Sequence, residues 1–290
     1  MSLSPLPPLE QLDSWIAARE SRFTLKPGCA AGVVWAGERV KTPVSIVYLH
    51  GYTASRGELY PVPDLVARAL GANLFYARLS GHAEIPDGHA SVTLEDWFED
   101  GERAWAIGQA LGERVVLMGC STGATLAAWL VLGRVRARPA ASVLVSPNLG
   151  PKNRGTELLL LPGRGWLVKR LAGESIGWEP ENEAGARYWD YRHASRSLIP
   201  MMDLVAATRR LRFQNWPTPG LVVYAPDDRI VEERITVTHF RRSPNIRFDV
   251  WRGTLGNHHV LAGDAVAPEG TSKMVALAAD FLRSALPTPQ

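Results

Sequence analysis

Residues 114–129 read R-V-V-L-M-G-C-S-T-G-A-T-L-A-A-W, and the order of residue types along them decides the fold. Val115, Val116, Leu117 and Met118 make an apolar run of strand length, Gly119-Cys120-Ser121-Thr122-Gly123 follows, and residues 124–130 read as a helix of small and apolar side chains. Strand, tight turn and helix place Ser121 at the carboxyl end of a buried strand. Gly119 and Gly123 lack a Cβ, so strand and helix can close on either side of a residue held at positive φ. Free N–H groups and a partial positive charge at the helix N-terminus favour an oxyanion beside Ser121. The turn fits Gly-x-Ser-x-Gly, in which a strained serine projects its hydroxyl above a sheet. The same pattern also occurs in an ordinary βα turn with a solvent-facing serine. Its meaning therefore rests on whether the chain supplies a histidine, an acid and an oxyanion hole.

Outward from this stretch, strands and helices alternate. Residues 45–49 are a β-branched run ending at His50-Gly51-Tyr52-Thr53, and Val62, Leu65, Val66, Ala69 and Leu70 then recur at the spacing of one buried helix face, closed by Gly71. Residues 74–77 predict the next strand, which leads into Arg78-Leu79-Ser80-Gly81-His82; Leu94, Trp97, Phe98, Gly101, Trp105 and Gly108 mark a second amphipathic helix. Residues 142–145 predict a further strand. The alternation resumes with a strand at 221–225, a helix at 232–241, a strand at 246–251 and a last helix with Met274, Leu277, Ala278, Phe281 and Leu282 on one face and Ser272 as its N-cap. Residues 8–21 and 31–35 predict a helix and a strand ahead of the repeat. Short connections between such units indicate a parallel sheet covered on both faces, with ligands bound at the carboxyl ends of the strands.

Between about Gly150 and Trp216 the alternation stops. This segment holds Leu158, Leu161, Trp166, Trp178, Trp189, Tyr191, Met201 and Met202 among scattered prolines and glycines. A connection this long inside a compact domain is expected to carry function, here as a lid over the strand ends, rather than to be a bare loop. The expected division is a core of residues 1–149 and 217–290 with a cap of residues 150–216.

Composition narrows the class of partner. The 290 residues carry 32 basic and 29 acidic side chains, a net charge of +3 without blocks of one sign, which gives nucleic-acid binding no support. The first residues lack the charged and apolar regions of a signal peptide, and no apolar run is long enough to span a bilayer. Cys29 and Cys120 provide neither a disulfide framework nor a metal cluster, so a reducing, cytoplasmic setting and no metal or organic cofactor are expected. Cys120, at the x position of the turn, reads as a small buried apolar residue.

Seven histidines compete as the base. His50, His82 and His89 precede the turn, His193 lies in the expected lid, and His239 falls inside a predicted helix. His258 and His259 remain, in the loop G-T-L-G-N-H-H of residues 253–259 just after a strand, and His259 is favoured over His258. Asp227 and Asp228 follow the strand at 221–225. Asp228 is the preferred acid, with Asp227 left to cap the next helix or to pair with an arginine such as Arg229. His259 would take the proton of Ser121 and Asp228 would orient the imidazolium. The backbone N–H of Thr122 supplies one oxyanion donor, and the loop after the first strand, through Tyr52, supplies the other.

The set His50-Gly51-Tyr52-Thr53, Arg78-Leu79-Ser80-Gly81-His82, Gly119-Cys120-Ser121-Thr122-Gly123, Asp228 with Val231, and His259-Val260 resembles the α/β-hydrolase superfamily. More narrowly, it is similar to the bacterial carboxylesterase and monoacylglycerol-lipase-like branch, also described as serine aminopeptidase-like. The resemblance implies a mostly parallel eight-stranded sheet with helices on both faces, a helical cap inserted after the sixth strand, and Tyr52 and Thr122 as backbone oxyanion donors. Ala83 and Ala225 stand where the family often has glycine. An aromatic, leucine-rich lid implies an apolar cleft, so a hydrophobic ester is the expected substrate and ester hydrolysis the expected reaction. Thioesterase and acyltransferase chemistry use the same residues, and Arg209, Arg210 and Arg212 could serve an anionic leaving group. A non-catalytic binding protein on the same fold is the alternative from another class. Oligomeric state is not legible.

Overall fold

Residues 5–133, 135–252 and 258–286 are described by the computed structural model. Ahead of the sheet, α1 (Leu9–Glu20) buries Leu12 and Ile16. The main sheet is built from β1 (Gly32–Val34), β2 (Thr42–Leu49), β3 (Asn73–Tyr76), β4 (Gly112–Cys120) and β5 (Ala141–Val145). Between them run α2 (Val62–Leu70), α3 (Leu94–Leu111) and α4 (Thr122–Leu132). The inserted segment holds α5 (Arg164–Ala172), β6 (Ser175–Gly177), α6 (Glu183–Tyr188), β7 (Arg192–Ala194) and α7 (Leu198–Arg209). The sheet is then completed by β8 (Gly220–Tyr224), α8 (Glu233–Phe240), β9 (Ile246–Val250) and α9 (Pro268–Ala285).

Seven strands pair in the order β1-β3-β2-β4-β5-β8-β9, and β6 and β7 form a separate antiparallel pair. Only β1, at the edge, runs antiparallel to its neighbour in the main sheet. An expected eighth strand is not found among the described residues, because the chain ahead of Gly32 folds as α1. The segment expected to form the cap accordingly follows the fifth strand of the chain rather than the sixth.

Alternation along β2 sets the two layers. Val47 and Leu49 face a core shared with α3, α4 and α7, including Trp97, Leu126 and Met202. Ile46 and Tyr48 face the opposite core with α2 and α9, including Val66, Met274 and Leu282. The end of α2 has Gly71 at φ 59°, a left-handed cap, and α3 starts with a capping box in which Thr93 and Asp96 exchange hydrogen bonds. The last helix begins earlier than expected. Pro268 sits in its first turn and Ser272 lies inside it, because a proline with fixed φ and no N–H starts a helix without needing a side-chain cap.

Candidate functional site

Ser121 joins the carboxyl end of β4 to α4 at φ 51° and ψ −118°, a conformation disfavoured for any residue with a Cβ. Two glycines make room for it. A methyl group on Gly123 would sit 2.0 Å from the carbonyl oxygen of Leu49, and one on Gly119 would sit 2.8 Å from Ala124 N. The turn is also tied to its neighbour strand: Ser121 N–H donates to Val145 O at 2.9 Å, and Ser121 O accepts from Asn148 N–H at 3.2 Å.

The loops after β8 and β9 bring the other two residues. His259 Nδ1 lies 2.7 Å from Asp228 Oδ2. Both side chains are buried, and His259 and Ser121 line one cavity of about 520 Å³. Asp228 Oδ1 accepts the N–H groups of Ile230 and Val231 at 2.7 and 2.9 Å. Ser146, at the end of β5, donates its hydroxyl to His259 O at 2.7 Å. That anchor has no local sequence signature. The preferred pair therefore meets, and the two rejected residues meet each other: Asp227 Oδ2 lies 2.5 Å from His258 Nδ1, with Asp227 mostly exposed. Asp227 thus pairs with a histidine rather than with an arginine. Residues 253–257 of the same loop lie outside the described residues.

Tyr52 follows β2 and Thr122 opens α4. Among the described residues, neither backbone N–H is given to a protein acceptor, and Tyr52 lines the cavity. The Tyr52 ring is fixed by its hydroxyl, 2.6 Å from Ser197 Oγ of the inserted segment, and by edge contacts with His82, His89, Trp97 and His193. Burial pushes its phenol well above the ordinary range. His82 is a packing residue within this cluster. Burial first, and then neighbouring His89 and His50, hold it neutral. No group of histidine, cysteine and acidic side chains suited to a metal ion exists among the described residues.

Asp190 organises the cluster's edge in a way that sequence reasoning missed. Its Oδ2 accepts the N–H of Ala83 at 2.8 Å and lies 3.0 Å from His89 Nε2, and its Oδ1 is 3.1 Å from Lys26 Nζ. Burial works to raise its pKa, but the His89 hydrogen bond, the Ala83 N–H and the Lys26 charge outweigh it and the net shift is downward. Ala83, where glycine is common in the resembled family, takes φ 60° to make this contact.

The cavity is lined by Ile176, Trp178, Trp189, Leu198 and Met201 of the inserted segment and by Ile230, Val260 and Val266 of the core. Arg209, Arg210 and Arg212 do not line it. Arg209 pairs with Glu157, while Arg210 and Arg212 border a separate groove with Arg136 and Arg138. A leaving-group role for these arginines has no geometric support.

The sequence profile of the Alpha/beta hydrolase family matches residues 46–269. The chain belongs to that family. No protein with a curated description matches the sequence significantly. Among solved structures, the fold is similar to one reported for the metagenome-derived lipolytic enzymes LipS and LipT, with a TM-score of 0.73 and 17% identity over 90% of this chain and 100% of the other. It is also similar to the monoglyceride lipase of Saccharomyces cerevisiae (TM-score 0.66, 11% identity, 92% of this chain and 95% of the other). The monoacylglycerol lipase of Paleococcus ferrophilus gives 0.65 and 15%, over 88% of this chain and 98% of the other. At these identities the likeness establishes the shared fold. Among the described residues, no helix is long and apolar enough to cross a membrane.

Proposed function

We propose that the protein is a serine hydrolase that cleaves carboxylic esters with an apolar acyl or alcohol part. The observation that carries the reading is the elbow serine, strained at φ 51°, sharing a cavity with a histidine whose far nitrogen rests on a buried carboxylate. In this reading His259 removes the proton of Ser121 as its oxygen bonds to the ester carbonyl, and Asp228 keeps the ring proton on Nδ1. The oxyanion lies between the N–H groups of Tyr52 and Thr122. Collapse expels the alcohol with the proton returned from His259, leaving Ser121 acylated. Water then attacks by the same route and frees the acid.

Residues 150–216 serve as the cap. Their tryptophans and leucine-type side chains cover the serine, and a mostly apolar cavity of about 520 Å³ suits a hydrophobic chain. The lipases and esterases of similar fold support ester chemistry as the first class to test. Two buried, unpaired cysteines fit a reducing, cytoplasmic setting. The test is intact-mass analysis after fluorophosphonate treatment, run beside S121A. A single adduct, absent from the variant, is expected. An unlabelled, folded protein would instead favour a non-catalytic binding role for the cavity.

A further inference from the structure

Glu58 lies between β2 and α2 and is 2% exposed, yet it lines the cavity that holds Ser121 and His259. Its Oε2 accepts the backbone N–H of Gly51 at 2.8 Å and the hydroxyl of Tyr48 at 2.9 Å. Gly51 directly precedes Tyr52, the residue whose N–H is read above as an oxyanion donor. A methyl group on Gly51 would sit 2.4 Å from Glu58 Oε1 and 3.1 Å from Ser121 Cβ. One glycine backbone is thus all that separates the carboxylate from the serine. Burying a carboxyl is costly, and an apolar side chain of similar size would fill this place without that cost.

Among the described residues, three titratable side chains bear most on Glu58. Tyr48 comes from β2, Cys120 from the end of β4 and His259 from the loop after β9. Burial, and then the Glu58 charge, push both the Tyr48 phenol and the Cys120 thiol up, so both stay neutral. Burial raises the Glu58 carboxyl as well, opposed by the Gly51 N–H, the Tyr48 hydroxyl and the charge of His259.

We propose that Glu58 is a positioning residue of the catalytic centre, whose carboxylate fixes Gly51 and thereby aims the Tyr52 N–H at the oxyanion, and which faces His259 as a second negative charge. The proposal rests on the serine-hydrolase reading. No bond is made or broken at Glu58. It acts through the loop that it holds and through its field at the ring that carries the proton of Ser121.

The test compares the wild-type chain with E58Q and Y48F on p-nitrophenyl butyrate, following kcat, KM and melting temperature across pH, with fluorophosphonate labelling of each. E58Q keeps the volume and removes the charge, so kcat is expected to fall about 10- to 100-fold with KM little changed, as for loss of an interaction made in the transition state. Its acid limb in kcat/KM moves to lower pH, because the Glu58 carboxyl, raised by burial, no longer has to ionise. Y48F removes a hydrogen bond to the ionised carboxylate, so its acid limb moves to higher pH. A merely structural Glu58 would lower the melting temperature and kcat with both limbs unmoved, which overturns the proposal; so does wild-type kcat in E58Q. Should E58Q fail to fold, the direction of the Y48F limb decides alone. A wild-type chain that takes no fluorophosphonate sinks the serine-hydrolase reading and this proposal together, whereas a labelled wild type with unmoved limbs sinks the role of Glu58 only.

Discussion

Asp228 holds His259 with one oxygen and its own loop with the other, Oδ2 lying 2.7 Å from His259 Nδ1 while Oδ1 takes the N–H groups of Ile230 and Val231. Three contacts on one buried carboxylate leave it no freedom to rotate. In D228N the amide oxygen can keep the loop contacts, but the NH₂ then meets Nδ1 and drives the ring proton to Nε2, where the base must be empty. The expected result is a fall in kcat of about 10⁴-fold with a near-normal melting temperature. D227N, whose carboxylate is mostly exposed beside His258, should stay within about twofold, the range of a surface charge with little coupling. Steady-state kinetics on the two variants checks the assignment, and a larger loss in D227N would transfer the role to the His258 pair.

The elbow predicts its own fragility. Gly123 has no room for a methyl group, since the obstructing atom is the backbone oxygen of Leu49 in β2 and cannot swing aside as a side chain would. G123A should therefore cost about 3 kcal/mol or more, the upper range for overpacking a dense site. Urea unfolding would show it as a lower midpoint with an unchanged slope. A stability loss under 1 kcal/mol, an ordinary surface value, would mean that α4 and β2 can separate and that the elbow is not rigid.

How far the site was readable in advance follows from the range of its contacts. Gly119, Ser121, Gly123 and the flanking strand and helix are neighbours in sequence, so their residue types alone carry the turn. Asp228 and His259 could be ranked because each stands just past a sheet strand, but the choice against Asp227 and His258 depends on where side chains point. Glu58 and Asp190 carry no local pattern. Asp190 meets Ala83 across 107 positions, and Glu58 matters only because Tyr48 and Gly51 fold back over it. Neither hydrophobic period nor motif spacing encodes such contacts. The start of α9 departs from expectation for a different reason: Ser272 has the chemistry of a cap, but Pro268, four residues earlier, begins the helix without one.

Asp190 is one polar tie between the inserted segment and the rest of the chain. Its carboxylate joins the segment to Lys26, ahead of the sheet, and to His89 and Ala83. Its own N–H donates to Thr53 O at 2.7 Å, beside Tyr52. In D190A His89 stays buried and Lys26 half-buried without the Asp190 carboxylate, at a cost of about 3 kcal/mol if the whole domain bears it. Limited trypsin digestion should then cut first within residues 150–216, and activity on long esters should fall with the cap displaced. Equal protection of D190A and wild type would show that the segment is held by its apolar contacts instead.

Stability should fall on acidification before any surface carboxylate titrates, because histidines are buried neutral. His50 Nε2 accepts the N–H of Leu79 at 3.1 Å, which places the ring proton on Nδ1, 2.9 Å from Gly51 O. A second proton would have to enter between Nε2 and that N–H. Burial, the leading cause, lowers the His50 pKa from 6.5 to about 4. His82 and His193 are lowered too, by burial first and by His89 next. In the unfolded chain all three take up protons near their ordinary values. Between those values and the folded ones the unfolded state binds more protons, so unfolding free energy rises with pH and is lost as pH falls through this window. His50 alone accounts for about 3 kcal/mol by pH 4. Urea midpoints should therefore decline steadily from pH 7 to pH 4.5, and H50Q, less stable at pH 7, should give a flatter profile. A wild-type profile that is level down to pH 5 would mean that these rings accept protons in the folded state, and that the cluster around Tyr52 is open to water.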